Sequence, residues 1–197
     1  MIRAALAGDE SAFEELVVSH EAAVLRVLRL LGIPRDDRDD VAQDVFIRIF
    51  RYLDGFKPGR PFAGWVYRIT VNVAHDYRSR ARRRRQDEVE WSPTLDETAW
   101  DDRGPDAPDD RLDLRQRLER ALDVLSERER AVFVLREIEG LSTREVARSL
   151  GITGVTVRRH LGRARLTLRR ALDSGRESGS ESKKSRKSVE RTGPRGR

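Results

Sequence analysis

The chain has no cysteine. That excludes disulfides, thiolate nucleophiles and every zinc motif that needs a sulfur ligand. It has no run of 18 or more uncharged apolar residues, and its N-terminus lacks the basic-then-apolar pattern of a signal peptide. Direct membrane insertion is not expected, and a cytoplasmic location is. Only three histidines are present, His20, His75 and His160, each in a different helical stretch without metal-ligand spacing. No phosphate-cradling glycine loop or nucleophile elbow occurs either, so an enzyme, a small-molecule substrate and a cofactor are not expected. Lysine is also scarce: 36 of the 40 basic residues are arginine. That fits either a GC-rich coding bias or a need for bidentate phosphate and base contacts.

What the chain does have is charge. Of its 197 residues 38% are charged, against about 25% in an ordinary soluble domain. The apolar share, also 38%, still suffices for a core, and the length allows one large domain or two small ones. The net +6 hides a strong segregation. Residues 65–85 carry seven basic side chains and one acidic; 86–110 carry one basic and ten acidic; 111–172 carry fifteen and eight; 173–197 carry eight and four. The acidic stretch contains three prolines and no apolar periodicity, so it reads as a linker. The last stretch is rich in Ser, Gly, Lys and Arg and reads as a disordered tail.

Before the linker, apolar residues recur at helical spacing. Phe13, Leu16 and Val17 begin one stretch, which Val24, Leu25, Leu28 and Leu31 continue until Gly32 and Pro34 end it. Val41, Val45, Ile49 and Leu53 make the next buried line, reinforced by Ala42, Phe46 and Phe50. The opposite face holds Asp40, Gln43, Asp44, Ile47, Arg48 and Arg51, a mixed-charge surface around one apolar residue. That pattern fits a solvated face or a docking surface. A turn-rich loop, Gly55 to Phe62, leads into a helix burying Val66, Ile69, Val73 and Tyr77. Its other face shows Trp65, Arg68, Asn72, Asp76 and Ser79, and it ends in Arg78, Arg80 and the run from Arg82 to Arg85. Aromatics interleaved with guanidinium groups suit unpaired bases and their phosphates. Trp65 and Phe62 as core residues, and the arginines as a solvated helix end, fit the same spacing.

After the linker, Leu114, Leu118, Leu122 and Leu125 line a helix. Two capping-box patterns follow, Ser126 to Glu129 and Ser142 to Glu145. The first starts a helix from Glu127 to Glu139, stopped by Gly140; the second starts a short helix ending at Leu150 and Gly151. Past the turn Ile152, Thr153 and Gly154, a long helix buries Val157, Leu161, Ala164, Leu168 and Leu172. Two helices about a tight glycine turn make a helix-turn-helix. The second carries Thr156, Arg158, Arg159, His160, Arg163 and Arg165 where such helices meet base edges. The expected fold class is therefore all-α: two small helical domains, 1–85 and 111–172, the second containing a helix-turn-helix. An acidic flexible linker over 86–110 joins them, and a disordered basic tail occupies 173–197.

Together the halves resemble the extracytoplasmic-function group of bacterial RNA polymerase sigma factors. The stretch from Asp40 to Phe56 is similar to that family's core-polymerase docking helix, and Phe62 to Asn72 to its promoter-melting segment. Leu125 to Ser142, with Thr156 to Arg165, is similar to its domain for the −35 element. The resemblance implies that Asp40, Gln43, Asp44, Ile47, Arg48 and Arg51 bind the polymerase clamp. It places an extruded −10 base at Phe56, Lys57, Phe62, Trp65, Arg68 and Asn72. It assigns the −35 element to Thr156, Arg158, Arg159, His160, Arg163 and Arg165. Partners implied are core RNA polymerase, through its clamp and flap, promoter DNA, and an anti-sigma factor. Gly162 and His160 depart from the residues usual at their positions.

Two duplex sites two helical turns apart are separated by about 70 Å. A 25-residue linker reaches at most about 80–90 Å. One chain therefore spans both elements only with the linker nearly stretched, which calls for a third body to hold the domains. The alternative is a helix-turn-helix regulator that is not a polymerase subunit. It accounts for residues 111–172 equally well, but gives no role to Trp65, Arg68, Asn72 or the acidic linker.

Overall fold

The structure is a computed structural model that describes residues 1–89 and 110–189, with side chains placed over 1–84 and 116–171. Most of the expected linker, 90–109, and the end of the tail, 190–197, lie outside the described residues. All described regular structure is helical.

After a short first helix, α1 (Ile2–Leu6), the Asp9 carboxylate accepts the Ala12 amide at 3.1 Å and so starts α2 (Glu10–Leu30). Leu16, Val24, Val27 and Leu28 give α2 its buried stripe, and Gly32, at φ +79°, turns the chain away. One turn of 3-10 helix leads into α3 (Arg38–Tyr52), which buries Val41, Ala42, Val45 and Ile49, and Leu53 completes the line just beyond it. Phe50 departs from the expected reinforcement of that line. It lies about 100° around the helix from Ile49, past the edge of the seam, and is 62% exposed with its ring edge-on to Phe13. The fourth helix, α4 (Phe62–Val89), packs across α2 and α3 through Val66, Ile69 and Val73. Tyr77 is half-buried there and donates to Asp37.

The second body comprises α5 (Asp110–Asp123), α6 (Glu127–Phe133), α7 (Thr143–Leu150) and α8 (Gly154–Val189). Both capping boxes form, at Ser126 with Glu129 and at Ser142 with Glu145. A π-type turn, Val134–Ile138, extends α6, its widened ladder closed by the Glu139 amide on the Val134 carbonyl. Leu122, Leu125, Val132, Val134, Leu135, Val146, Val157, Leu161, Ala164 and Leu168 form the core. Leu118 is exposed, because only the last turn of α5 enters that core. The side chains of Leu114 and Leu172 lie outside the described residues.

Two helices run past their expected ends: α4 reaches Val89, inside the acidic stretch, and α8 continues through the first part of the tail to Val189. The first prolines beyond them are Pro93 and Pro194, so nothing earlier removes a backbone donor. Gly175 and Gly179 each cost about 1 kcal/mol relative to alanine but break no hydrogen bond. The bodies meet along two seams, α7 against α4 and α5 against α2.

Candidate polymerase and nucleic-acid interfaces

The outward face of α3 is fixed by the burial of its inner face. Asp40, Gln43, Asp44 and Arg51 are exposed, Arg48 is half-buried, and Ile47 stands 41% exposed among them. Phe50 and Tyr52 add exposed aromatic surface beside this face. Arg48 donates to Asp76 of α4 at 2.8 Å, and Arg80 reaches Asp44 at 4.0 Å. The result is an exposed apolar spot among charged side chains, with two ion pairs beside it.

The turn-rich loop folds back so that Phe56, Phe62 and Trp65 form one aromatic cluster, with ring centroids 5.2 to 5.6 Å apart. His20 of α2 closes on Phe62 at 5.2 Å. Phe56 and Phe62 are inside, 5% and 7% exposed, so they brace Trp65, which is half-buried. Beside the cluster lies a cavity of about 250 Å³ lined by Phe56, Lys57, Arg60, Trp65 and Arg68. Asn72, two turns along α4 from Trp65, lines a separate cleft of about 260 Å³ together with His75, Arg78, Arg128 and Arg130. The six expected residues thus divide into an aromatic floor, a cationic rim and one amide farther along the helix.

In the helix-turn-helix, Gly151 takes the left-handed conformation at φ +63°, and the Thr153 hydroxyl accepts the Thr156 amide at 3.1 Å to start α8. Thr156 is drawn into this cap, its hydroxyl 2.9 Å from that of Thr153. Arg158, Arg159 and Arg163 are exposed and make no ion pair within the described residues. Arg165 is also exposed but is paired with Glu137 at 2.9 Å. His160 is half-buried, and its Nδ1 is buried without a partner among the described residues. Burial, reinforced by Arg159, holds the His160 imidazole below its ordinary pKa, so the ring is neutral near pH 7. Three free guanidinium groups in one solvent-facing row can grip phosphates and bridge guanine edges.

Sequence reasoning missed a set of polar contacts between the bodies. Glu139, its side chain only 3% exposed, accepts both prongs of Arg26, at 2.9 and 2.8 Å, and the Tyr67 hydroxyl at 2.6 Å. Burial pushes the Glu139 carboxyl up, but the bonds from Arg26 and Tyr67 outweigh it and hold the group below its ordinary range. Burial and the carboxylate push Tyr67 up to about 12. Arg130, 4% exposed, donates to the Leu30 carbonyl at 2.6 Å and to Asp123 at 2.8 Å. Burial draws its pKa down despite Asp123. Ser149 donates to the Gly64 carbonyl at 3.0 Å, and Glu127 pairs with Arg82 at 2.9 Å and Arg78 at 3.3 Å. Tyr67 and Arg130 occupy positions whose types and spacing carry no sign of these partners.

Residues 16–84 match the family described as Sigma-70 region 2, and residues 115–168 match Sigma-70, region 4. The chain is 35% identical to the RNA polymerase sigma factor CnrH of Cupriavidus metallidurans, over 88% of this chain and 93% of that protein. It is 32% identical to the ECF RNA polymerase sigma-E factor of Escherichia coli, over 80% of this chain and 85% of that one. Among solved structures, that of CnrH in complex with the cytosolic domain of CnrY aligns with a TM-score of 0.65 at 33% identity, covering 88% of this chain and 95% of that one.

Proposed function

The chain belongs to the extracytoplasmic-function group of RNA polymerase sigma factors, and on that footing we propose how its surfaces divide the work. As a sigma factor it binds core RNA polymerase and directs promoter-specific initiation by reading the −10 and −35 elements. Residues 1–85 act as the docking and −10 domain, and 111–172 as the −35 domain. The α3 face, Asp40, Gln43, Asp44, Ile47, Arg48 and Arg51, docks on the polymerase clamp. Its exposed Ile47 supports this, being the apolar centre of a polar rim.

The −10 base of the melted strand enters the cavity beside Trp65. Its ring stacks there, while Lys57 and Arg68 meet the flanking phosphates and Phe56 and Phe62 keep Trp65 in place. Asn72 contacts the strand farther along α4. On the −35 duplex, Arg158, Arg159 and Arg163 make the direct contacts. Thr156 holds the start of the recognition helix, and His160 and Arg165 orient it from the flank. The observation that carries this assignment is the aromatic-floored, cation-rimmed cavity, a surface that suits an unstacked base and gives a duplex-only regulator nothing to do.

The chain works in the cytoplasm, takes part in no catalysis and needs no cofactor. It is held in check by an anti-sigma protein; CnrH, its relative, was solved with the cytosolic domain of CnrY. No described helix is long and apolar enough to cross a membrane. The test is transcription in vitro with core polymerase on promoter-bearing fragments, with start sites mapped. Discrete starts that require the chain support the assignment, and random initiation unaffected by it overturns it.

A further inference from the structure

The burial of the inner side of α8 fixes what its outer side offers. Val157, Leu161, Ala164 and Leu168 are turned into the core of the second body. At about 100° per residue, Val155, Gly162 and Leu166 then fall within about 20° of one outward line. Val155 is 66% exposed and Leu166 49%, and a Cβ built on Gly162 would meet nothing within 4 Å. Exposed arginines flank this line on both sides, about 40–80° around the helix from it. Arg158, Arg165 and Arg169 stand on one side, and Arg159, Arg163 and Arg170 on the other.

A single exposed apolar residue is ordinary on a protein surface. Here two of them and a glycine form the spine of a face whose margins are cationic. The start of the helix does not require a valine, because Thr153 caps it already, its hydroxyl accepting the Thr156 amide and its carbonyl the Val157 amide. Position 155 adds an exposed side chain to a turn that is complete without it.

The cross-section of this face matches that of a B-form major groove. Such a groove is about 12 Å wide, with phosphates along both rims and base edges on its floor. Arginines at the margins of the helix reach the rims, while the spine meets the floor. Gly162 lacks the side chain that would hold the helix away from the floor at that point. On the floor, the group that suits an apolar side chain is the C5-methyl of thymine. The N-terminal residues of a recognition helix are the ones that meet base edges. Val155 is therefore in the reading part, and Leu166, eleven residues and about 16 Å farther along, is beyond it.

We propose that Val155 is a specificity-determining residue that packs on the C5-methyl group of a thymine in the −35 element, and that Gly162 lets the helix come close enough for this contact. This rests on the reading of α8 as the −35 helix. Arg159, nearest the spine among the arginines of the first turns, keeps its reach to a guanine edge, and Arg158 and Arg163 lie nearer the rims. Val155 adds a preference for thymine that hydrogen bonds from arginine to guanine do not supply.

The test uses the full chain with core polymerase on a promoter whose start site it specifies. Each thymine of the −35 duplex, on either strand, is replaced in turn by uracil, which keeps the O4 acceptor and loses only the methyl group. One replacement should weaken binding about fourfold, the worth of one buried methyl. On the unmodified duplex Val155→Ala should bind at least as weakly, and the same uracil should then cost it less than about twofold, since the methyl has already lost its partner. Gly162→Leu should weaken binding to every −35 duplex about tenfold, as the loss of a base contact demands, with its folding checked by circular dichroism. The uracil scan alters no residue, so it reads the contact whether or not a variant folds. A −35 element without thymine, a parent indifferent to every uracil, a uracil effect undiminished in Val155→Ala, or a folded Gly162→Leu that binds like the parent overturns the contact. Start sites on unmodified DNA are mapped in parallel. Promoter-specific starts together with any of those results remove the role of Val155 and leave the sigma assignment standing, while absence of such starts removes the assignment and the contact with it.

Discussion

The basic stretches of the two bodies, 65–85 with seven basic residues to one acidic and 111–172 with fifteen to eight, carry nearly equal excess and dispose of it in opposite ways. In the first, Arg48 is bound to Asp76, Arg80 lies near Asp44, and Arg78 and Arg82 are held by Glu127. What it leaves for a ligand is aromatic: Trp65 above Phe56 and Phe62, with Lys57 and Arg68 at the rim. In the second, Arg158, Arg159 and Arg163 point outward without an acid among the described residues, and the aromatic contribution is nil. On the proposed reading, one surface stacks and the other grips. Charge counted along a sequence does not distinguish them; the position of the acids in space does.

Substitutions in the two cores test whether each body supports its own surface and have the largest expected effect. Leu28→Ala and Leu135→Ala, both at fully buried sites, should each cost about 2–5 kcal/mol in denaturant unfolding. A loss under about 1 kcal/mol at either site would mean the core there is wrongly drawn.

The stacking and gripping surfaces can then be separated within the polymerase complex. Trp65→Ala should weaken binding of a melted −10 strand by about 1–3 kcal/mol and leave affinity for a −35 duplex unchanged. Arg159→Ala should do the reverse, costing about 1–3 kcal/mol on the −35 duplex and altering base preference. If Arg159→Ala lowers affinity equally for all sequences, its contact is with phosphate. If Trp65→Ala affects both elements alike, the division between the surfaces fails.

Smaller again is the loss of a cap. Ser142→Ala removes the acceptor for the Glu145 amide and the partner that holds the Glu145 carboxyl below its ordinary range. A loss of about 1 kcal/mol in thermal stability is expected, confined to the helix-turn-helix side. Deleting residues 176–197, with their net basic charge, should reduce non-specific DNA affinity and flatten its salt dependence.

Local signals in the sequence were legible where the physics is local. The capping boxes at Ser126 and Ser142, the stops at Gly32, Gly140 and Gly151, and the lines through Val45 and Val157 depend on neighbours three or four residues away. Phe50 and Leu118 sit at the edges of their stripes, where burial depends on how far the partner helix extends. The ends of α4 and α8 escaped because polar composition discourages burial but does not itself stop a helix. Phe62 was legible as a possible core residue, whereas Phe56 was legible only as aromatic; His20, which closes the cluster on Phe62, is far away in sequence. Arg130 and Glu139 were the least legible of all. Each belongs to a helix that looks ordinary, and each finds its partner across the seam between the bodies.

The central claim, that this chain reads promoters as a polymerase subunit, is tested most directly by titrating a fluorescent promoter duplex with the chain alone and again with core polymerase present. Weak, salt-sensitive binding by the free chain and tight, sequence-specific binding with polymerase is the predicted result. Tight, sequence-specific binding by the chain alone would contradict it.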